Sequence, residues 1–134
     1  MAYFSAFGED FPVDIITNVL DMEPTKIYNK GDVINHPNLV STTSKRRKHT
    51  DWILSTGYQE SYDINDQLNL ILKSLVGKTE ELNQLKKKYD LEYLFMIVIE
   101  IVNDEKPAMY LEKNMIDFSS RIQAEIQFDL YIIS

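Results

Sequence analysis

The chain has 134 residues, of which 44% are hydrophobic and 26% are charged, which predicts one globular domain over residues 1–134. It contains no cysteine, so disulfides, thiolate nucleophiles and cysteine-ligated metals are excluded. The net charge of −7 disfavours nucleic acid as a partner and favours a basic partner. No stretch has a signal-peptide pattern or the roughly 18 apolar residues of a membrane span, so we expect a cytoplasmic protein that does not enter a membrane.

The first part of the chain predicts a strand, a helix and a second strand. Residues 2–7 are rich in aromatic side chains and precede a glycine, which indicates a strand. Pro12 suits the first position of a helix, because its missing N–H would have no partner there, and Pro24 ends that helix. Residues 25–29 predict a short strand that stops at a lysine–glycine–aspartate sequence.

The longest irregular stretch comprises residues 33–50 and carries the strongest local charge. It contains both histidines and a basic run made of Lys45, Arg46, Arg47 and Lys48, while the rest of the chain is acidic. Three interpretations remain open for this run. It could bind phosphates of a nucleic acid beside aromatic residues that stack on the bases. It could bind an anionic small molecule or a carboxylate of a partner. It could also be a solvated loop whose charges interact with the acidic remainder of the chain.

The middle of the chain predicts a strand over residues 51–56 and then two helices. Asp63 or Asn65 can cap the first helix, which has an apolar stripe at helical spacing. Thr79 can cap the second helix, and acidic residues in its first turn and lysines in its last turn match the helix dipole.

The last third begins with the most apolar strand of the chain, residues 93–102, which we expect to be central and covered on both faces. Residues 103–106 predict a hairpin turn that leads into a strand at 107–111. A short helix over 114–122 follows. A final strand alternates apolar residues with Glu125, Gln127 and Asp129, so we expect its polar face to be wet.

The predicted order is β-α-β-β-α-α-β-β-α-β, without regular βαβ alternation. We therefore expect an α+β fold with a mostly antiparallel or mixed sheet and helices packed mainly on one face. The first six elements fit a ferredoxin-like core, and the remaining β-α-β would extend it.

Common catalytic and cofactor motifs are missing. The two histidines, His36 and His49, lie thirteen residues apart in the irregular stretch and have no helical pairing. No Gly-x-Ser-x-Gly elbow occurs, and the four glycines are too far apart for a phosphate-binding loop. We therefore predict no catalytic triad, no metal and no cofactor.

Two residues have both a structural and a functional interpretation. Glu100 interrupts the apolar strand, and a buried carboxylate there would be costly and typical of acid–base sites. Alternatively, Glu100 pairs with a basic neighbour or the strand is wet near its end. Trp52 could form a ligand platform or fill the core.

Several segments resemble the domain-of-unknown-function family 4279. They are a helix at residues 14–20, a Glu-Pro-Thr sequence at 23–25, a Tyr-Asn-Lys-Gly-Asp turn at 28–32, a Trp-x-Leu-Ser segment at 52–55 and a closing Asp-Leu-Tyr sequence at 129–131. Arg47 matches the basic residues that precede the tryptophan in that family. The resemblance covers nearly the whole chain. It implies a mainly bacterial family without an established activity, and small acidic bacterial proteins of this kind are often immunity partners of toxins.

Three functions follow as hypotheses. The first is a non-catalytic protein-binding domain, such as an immunity protein for a basic toxin, acting as a monomer or a homodimer. The second is a small-ligand or anion-binding module built on the 33–50 loop. The third is an enzyme with Glu100 as acid or base. The residues predicted to bind are Tyr28, Lys30, Asp32, Arg47, Trp52 and Glu100.

Overall fold

A five-stranded mixed sheet lies at the centre of the computed structural model, which describes residues 1–34 and 45–133. The strands are β1 (Ala2–Gly8), β2 (Lys26–Tyr28), β3 (Thr50–Ser55), β4 (Glu92–Val102) and β5 (Ala124–Ile133), in the order β2-β3-β1-β4-β5. β5 runs parallel to β4, and the other three pairs are antiparallel. The predicted α+β class with a mixed sheet is confirmed, while the ferredoxin-like core stays a prediction.

The helices of the described residues pack mainly on one face of this sheet, as predicted. They are α1 (Val13–Leu20), α2 (Ile64–Leu75), α3 (Thr79–Tyr89) and α4 (Lys113–Arg121). Pro12 is the N-cap of α1 rather than its first residue, and the helix ends at Asp21 in a left-handed conformation, before Pro24. Of the two predicted caps of α2, Asp63 is the N-cap and Asn65 lies within the helix, whereas Thr79 is the first residue of α3 and not its cap. No helix in the described part of the chain is long and apolar enough to cross a bilayer.

The core lies between the helices and one face of the sheet. The Phe4 ring is at its centre, with centroids 5.2 Å from Phe95, 5.4 Å from Tyr93 and 6.4 Å from Trp52. All four side chains are at most 1% exposed. Burying a large apolar side chain stabilises a fold by about 1.5–3 kcal/mol, so this aromatic cluster anchors β1, β3 and β4 to one another.

β4 is an interior strand, but the expectation that both of its faces are covered is wrong. Alternate residues from Tyr93 to Ile101 are buried against the helices. On the other face no helix of the described residues packs: Leu94 and Met96 are only partly buried and Glu100 is exposed, although Val98 is buried. The apolar composition of β4 therefore reflects its place between two neighbouring strands, not a second layer of helices.

The predicted strand at 107–111 is also wrong. Asn103 and Asp104 both have positive φ and form a tight turn, in which the Glu105 N–H donates to the Val102 carbonyl. This is the turn that the sequence predicted. The chain then leaves the sheet. The Ala108 N–H donates to the Tyr62 carbonyl at 2.6 Å, so this segment pairs with the residues before α2 instead of with β4. The predicted C-terminal β-α-β extension is thus reduced to α4 and β5.

Both described ends of the predicted 33–50 loop are ordered by backbone bonds. The Arg47 N–H donates to the Asp32 carbonyl, the Gly31 N–H donates to the Arg47 carbonyl, and the Ile34 N–H donates to the Lys45 carbonyl. These bonds extend the β2–β3 pairing. His36 and the rest of residues 35–44 lie outside the described residues.

Candidate functional site

One face of the sheet turns away from the helices, and we call it the open face. The register of the strands places a set of side chains on it: residues 26 and 28 of β2, 51, 53 and 55 of β3, 3, 5 and 7 of β1, the even residues 92–102 of β4, and the odd residues 125–133 of β5. None of these side chains belongs to the core cluster. The open face is therefore the side of the sheet that does not contribute to the core.

Carboxylates border an apolar strip on the β4–β5 side of the open face. Leu94 and Met96 are partly buried there, and Val98 is 9% exposed. The surrounding acids are Glu92, Glu100, Glu125 and Asp129, with Glu125 opposite Leu94 and Asp129 opposite Val98. An apolar strip with acidic borders suits a partner segment that carries both apolar and basic side chains.

Tyr3 lies on the open face between two acidic residues of other strands, Asp51 of β3 and Asp129 of β5. Burial raises the pKa of Tyr3, and the charges of Asp51 and Asp129 raise it further. Burial also raises the pKa of Asp51, although the Ser5 hydroxyl donates to the Asp51 Oδ1 at 2.6 Å and favours the charged form. Tyr3 and Asp51 are therefore both partly shielded from water on the open face.

The β2 side of the open face carries its cations, and they are stacked on an aromatic ring. The guanidinium of Arg47 lies 3.7 Å from the centroid of the Tyr28 ring, and the Lys26 ammonium lies 5.1 Å from it. The charges of Arg47 and His49 also lower the pKa of Asp51, against the larger effect of burial.

Two more of the predicted binding residues make local structural contacts beside Tyr28 and Arg47. The Asp32 Oδ2 accepts the Asn29 N–H at 2.8 Å and closes a turn that needs Gly31 at φ 91°. The Lys30 ammonium lies 3.1 Å from the Glu9 carboxylate in an exposed ion pair. The structure therefore brings Tyr28, Lys30, Asp32 and Arg47 together.

Trp52 and Glu100 lie elsewhere. Trp52 is fully buried in the core, and its Nε1–H donates to the Thr17 hydroxyl at 3.1 Å. Glu100 lies on β4 beyond the start of β1, where the Met1 ammonium donates to the Val98 carbonyl at 3.0 Å. Burial lowers the pKa of that ammonium, and the charge of Glu100 raises it.

Glu100 lines an open groove of about 640 Å³ at this end of the sheet. Residues 58–62, the end of β4 and the turn after it form the walls. Tyr58 and Tyr62 are 72% and 89% exposed, so the groove has aromatic side chains at its rim. Glu100 itself is exposed and continues the acidic border of the open face into this groove.

Metal ligands do not converge in the part of the chain that the structure describes, residues 1–34 and 45–133. No group of three or more histidine, aspartate or glutamate side chains there is placed to hold an ion.

Comparison with known families gives a match over the length of the chain. The model of the family described as "Domain of unknown function (DUF4279)" matches residues 1–133. The chain belongs to this family. The predicted resemblance is therefore confirmed. No curated protein and no solved structure matches the chain.

Membership of the DUF4279 family indicates no activity by itself. The candidate site is therefore assigned from the arrangement of its side chains alone. Two of the segments that carried the resemblance are now explained by the fold: the turn at residues 28–32 begins at the end of β2, and the tryptophan segment forms β3. Both build the structure around the open face.

Sequence analysis alone did not find the open face as a site. The alternation in β5 predicted that Glu125 and Asp129 would share a wet face, and this was the one available signal. Nothing in the sequence indicated that Tyr3 and Asp51 would lie on the same surface, since they belong to different strands that only the register brings together.

Proposed function

We propose that this chain is a non-catalytic protein-binding domain whose open face receives a basic, partly apolar segment of a partner protein. The observation that carries the proposal is the apolar strip of Leu94, Met96 and Val98 bordered by carboxylates of β4 and β5. A binding surface needs an apolar centre for affinity and charged borders for orientation, and this face has both.

Electrostatics supports a basic partner. The chain carries a net charge of −7, and the cations of the open face are confined to its β2 side. Complementary charge speeds association and is screened by salt, with a Debye length of about 8 Å at physiological ionic strength. Binding to the open face should therefore be faster and tighter at low salt. The same charge disfavours nucleic acid as the partner.

Neutralisation of a basic toxin is the form of this function that we favour. An immunity protein needs no catalytic group and must cover the toxin with a complementary surface, which the acidic open face could provide. We place this interaction in the cytoplasm.

The two other hypotheses have less support. In the basic run and its neighbours, Lys30 pairs with Glu9, Arg46 donates to the Gly31 carbonyl at 2.9 Å, and Arg47 stacks on Tyr28. These contacts give the cations structural partners in place of an anionic ligand. Glu100 is exposed in an open groove, a position that suits binding better than acid–base chemistry.

A peptide titration tests the proposal directly. The probe is a strand-length peptide of alternating lysine and valine, with a glutamate–valine peptide as its counterpart, and the readout is backbone amide shifts by NMR. We expect the lysine–valine peptide to shift amides of β4 and β5 around residues 94–98. The double variant Glu125→Gln/Asp129→Asn should weaken this binding.

A matched control removes the same charge elsewhere. Asp14 and Glu80 are exposed acids in the first turns of α1 and α3, so Asp14→Asn/Glu80→Gln gives the same net charge without touching the open face. Equal weakening by both double variants would mean that only overall charge matters, and would contradict a site on the open face.

The toxin form of the proposal has its own test. Co-expression with the product of an adjacent gene should give a one-to-one complex and protect the cells, and Glu125→Gln/Asp129→Asn should reduce both effects. Absence of a complex and of protection would refute the immunity role.

A further inference from the structure

β5 forms an outer edge of the sheet over its full length. In the described ranges 1–34 and 45–133 it pairs with β4 on one side and with no strand on the other. The Asn103 N–H donates to the Ile133 carbonyl, so Ile133 directs its backbone groups toward β4. Because backbone direction alternates along a strand, Ile126, Phe128, Leu130 and Ile132 direct their N–H and C=O groups outward.

The same outward-bonding residues carry exposed apolar side chains. Phe128, Leu130 and Ile132 lie on the helix side of the sheet, where their register partners in β4 are Ile97, Ile99 and Ile101. Their exposed fractions rise along the strand, at 47%, 50% and 76%, because the core packing of β5 ends at Ile126. An apolar row and a row of free backbone groups thus coincide on one edge.

Natural monomers usually protect such an edge with charged side chains, proline or a bulge, and the charged side chains of β5 are Glu125 and Asp129, both on the open face. The segment Ala-Glu-Ile-Gln-Phe-Asp-Leu-Tyr-Ile-Ile contains no lysine, proline or glycine. Long, apolar, unprotected edges pair with another strand. The occupant must therefore supply an extended backbone and apolar side chains.

We propose that β5 pairs antiparallel with β5 of a second copy of this chain, with the two-fold axis at Leu130. A symmetric pair needs a self-complementary segment, and residues 127–133 meet this condition. Phe128 and Ile132 would face each other on both sides of Leu130, so the three exposed side chains would be buried together. The open faces of the two copies would continue into one another.

Charge disfavours two of the neighbouring registers. An axis at residue 129 would place Asp129 opposite Asp129, and an axis at residue 127 would place Asp129 opposite Glu125, and like charges directly opposite one another are destabilising. With the axis at Leu130, Asp129 faces Tyr131, whose hydroxyl already donates to the Asp129 carboxylate at 2.9 Å. An axis at residue 128 also places no two acids opposite each other. It would, however, pair the exposed Leu130 with Ile126, which already packs partly against the core.

Sedimentation equilibrium of the purified chain tests the proposal. We expect a monomer–dimer equilibrium that shifts toward the dimer as salt is raised, because both copies are acidic and salt screens their repulsion. This dependence is opposite to that expected for a basic partner on the open face, and the proposal does not rest on that function. A monomer at every protein concentration and salt would overturn it.

Two leucines of equal exposure give matched variants. Leu130 is 50% exposed on β5 and Leu70 is 51% exposed on α2. Leu130→Lys should weaken the dimer about tenfold or more, equivalent to about 1.4 kcal/mol, whereas Leu70→Lys should leave it unchanged. If Leu130→Lys fails to fold by circular dichroism, Ile132→Lys at a more exposed position replaces it. If the β5 variant and Leu70→Lys weakened the dimer equally, the proposal would be overturned.

A cross-linking experiment tests the axis. The chain has no cysteine, so Leu130→Cys and Leu70→Cys each introduce a single thiol. In an antiparallel pair the two Cα atoms at the axis are about 5.5 Å apart. A short bis-maleimide cross-linker, which alkylates one thiol at each end, should therefore join Leu130→Cys chains faster than Leu70→Cys chains. Equal rates would overturn the register. A monomer whose β5 amides shift only with the lysine–valine peptide would overturn the dimer and assign the edge to a different protein.

Discussion

The guanidinium of Arg47 lies over the ring of Tyr28, 3.7 Å from its centroid, at one side of the open face. Arg47 is also the residue at which the basic run joins the sheet, since its N–H and C=O bond to the backbone of Asp32 and Gly31. The most basic segment of the chain is therefore held in place at this residue by both backbone and side-chain contacts.

Arg47→Ala should lower the free energy of unfolding by about 0.5–1 kcal/mol, the usual contribution of a cation over an aromatic ring. Urea denaturation measures this change. Lys48→Ala is the control, because Lys48 is an exposed neighbour in the same run. An equal loss in both variants would show that the stacking on Tyr28 contributes nothing beyond removal of charge.

Thr17→Val should destabilise the domain by about 1–3 kcal/mol, because it leaves the buried Trp52 N–H without its acceptor. Trp52 is the single tryptophan of the chain, so its fluorescence reports unfolding directly. Thr17→Ser keeps the hydroxyl and should retain more of the stability. If valine were tolerated as well as serine, the hydrogen bond would not contribute to stability.

Asp51 should make the folded domain less stable as the pH rises. Burial raises its pKa above that of the unfolded chain, about 3.9, so between these values the folded state holds a proton that the unfolded state has lost. Asp51→Asn should therefore be more stable than the parent chain at neutral pH, and this advantage should disappear as the pH falls below about 3.9.

Urea denaturation over a series of pH values checks the Asp51 prediction. Ser5→Ala serves as the second variant. It removes the hydroxyl that donates to the Asp51 carboxylate, so it should make the fall in stability with pH steeper. A constant difference between Asp51→Asn and the parent chain at all pH values would contradict the assignment.

Asp63 should have the opposite dependence on pH. The backbone N–H of Asn65 donates to its carboxylate at 2.9 Å and lowers the pKa of Asp63. This stabilisation of α2 is present above the unfolded pKa of about 3.9 and is lost as the pH falls through the lowered value. Thermal melting at acidic pH should show this loss in the parent chain but not in Asp63→Asn, which keeps an acceptor without the charge.

A second variant isolates the cap. Asp63→Ala should be less stable than Asp63→Asn at neutral pH, because alanine offers no acceptor for the first turn of α2. Similar melting of the two variants would mean that the cap does not hold α2.

Local patterns were sufficient for most of the elements. Apolar spacing located the helices, the cap at Asp63 was visible in the sequence, and the lysines at 86–88 lie in the last turn of α3 as the helix dipole requires. The error at residues 107–111 shows the limit of such patterns. The turn at Asn103 and Asp104 formed as predicted, but the chain after it bonded to Tyr62, a contact that no local pattern encodes.

The candidate site depended on long-range pairing. Tyr28, Lys30, Asp32 and Arg47 could be grouped in advance because they flank one loop, but their contacts with Glu9, Asn29 and one another became visible only in the fold. Glu100 was ambiguous in the sequence. In the fold it is exposed, because it lies beyond Ile97, the last residue of β4 that pairs with β1.

The sequence by itself determined the absence of cysteine chemistry, the acidic charge, the family and the alternation that separates Glu125 and Asp129 from the apolar side of β5. Tertiary structure decided which surfaces these features form. Placing β1 between β3 and β4 gathers Tyr3, Asp51 and Asp129 on the open face, and the end of the core packing at Ile126 leaves the rest of β5 exposed. The physical reason is that alternation fixes only the two sides of a strand, whereas its neighbours and the extent of the helix layer depend on contacts between residues far apart in the chain.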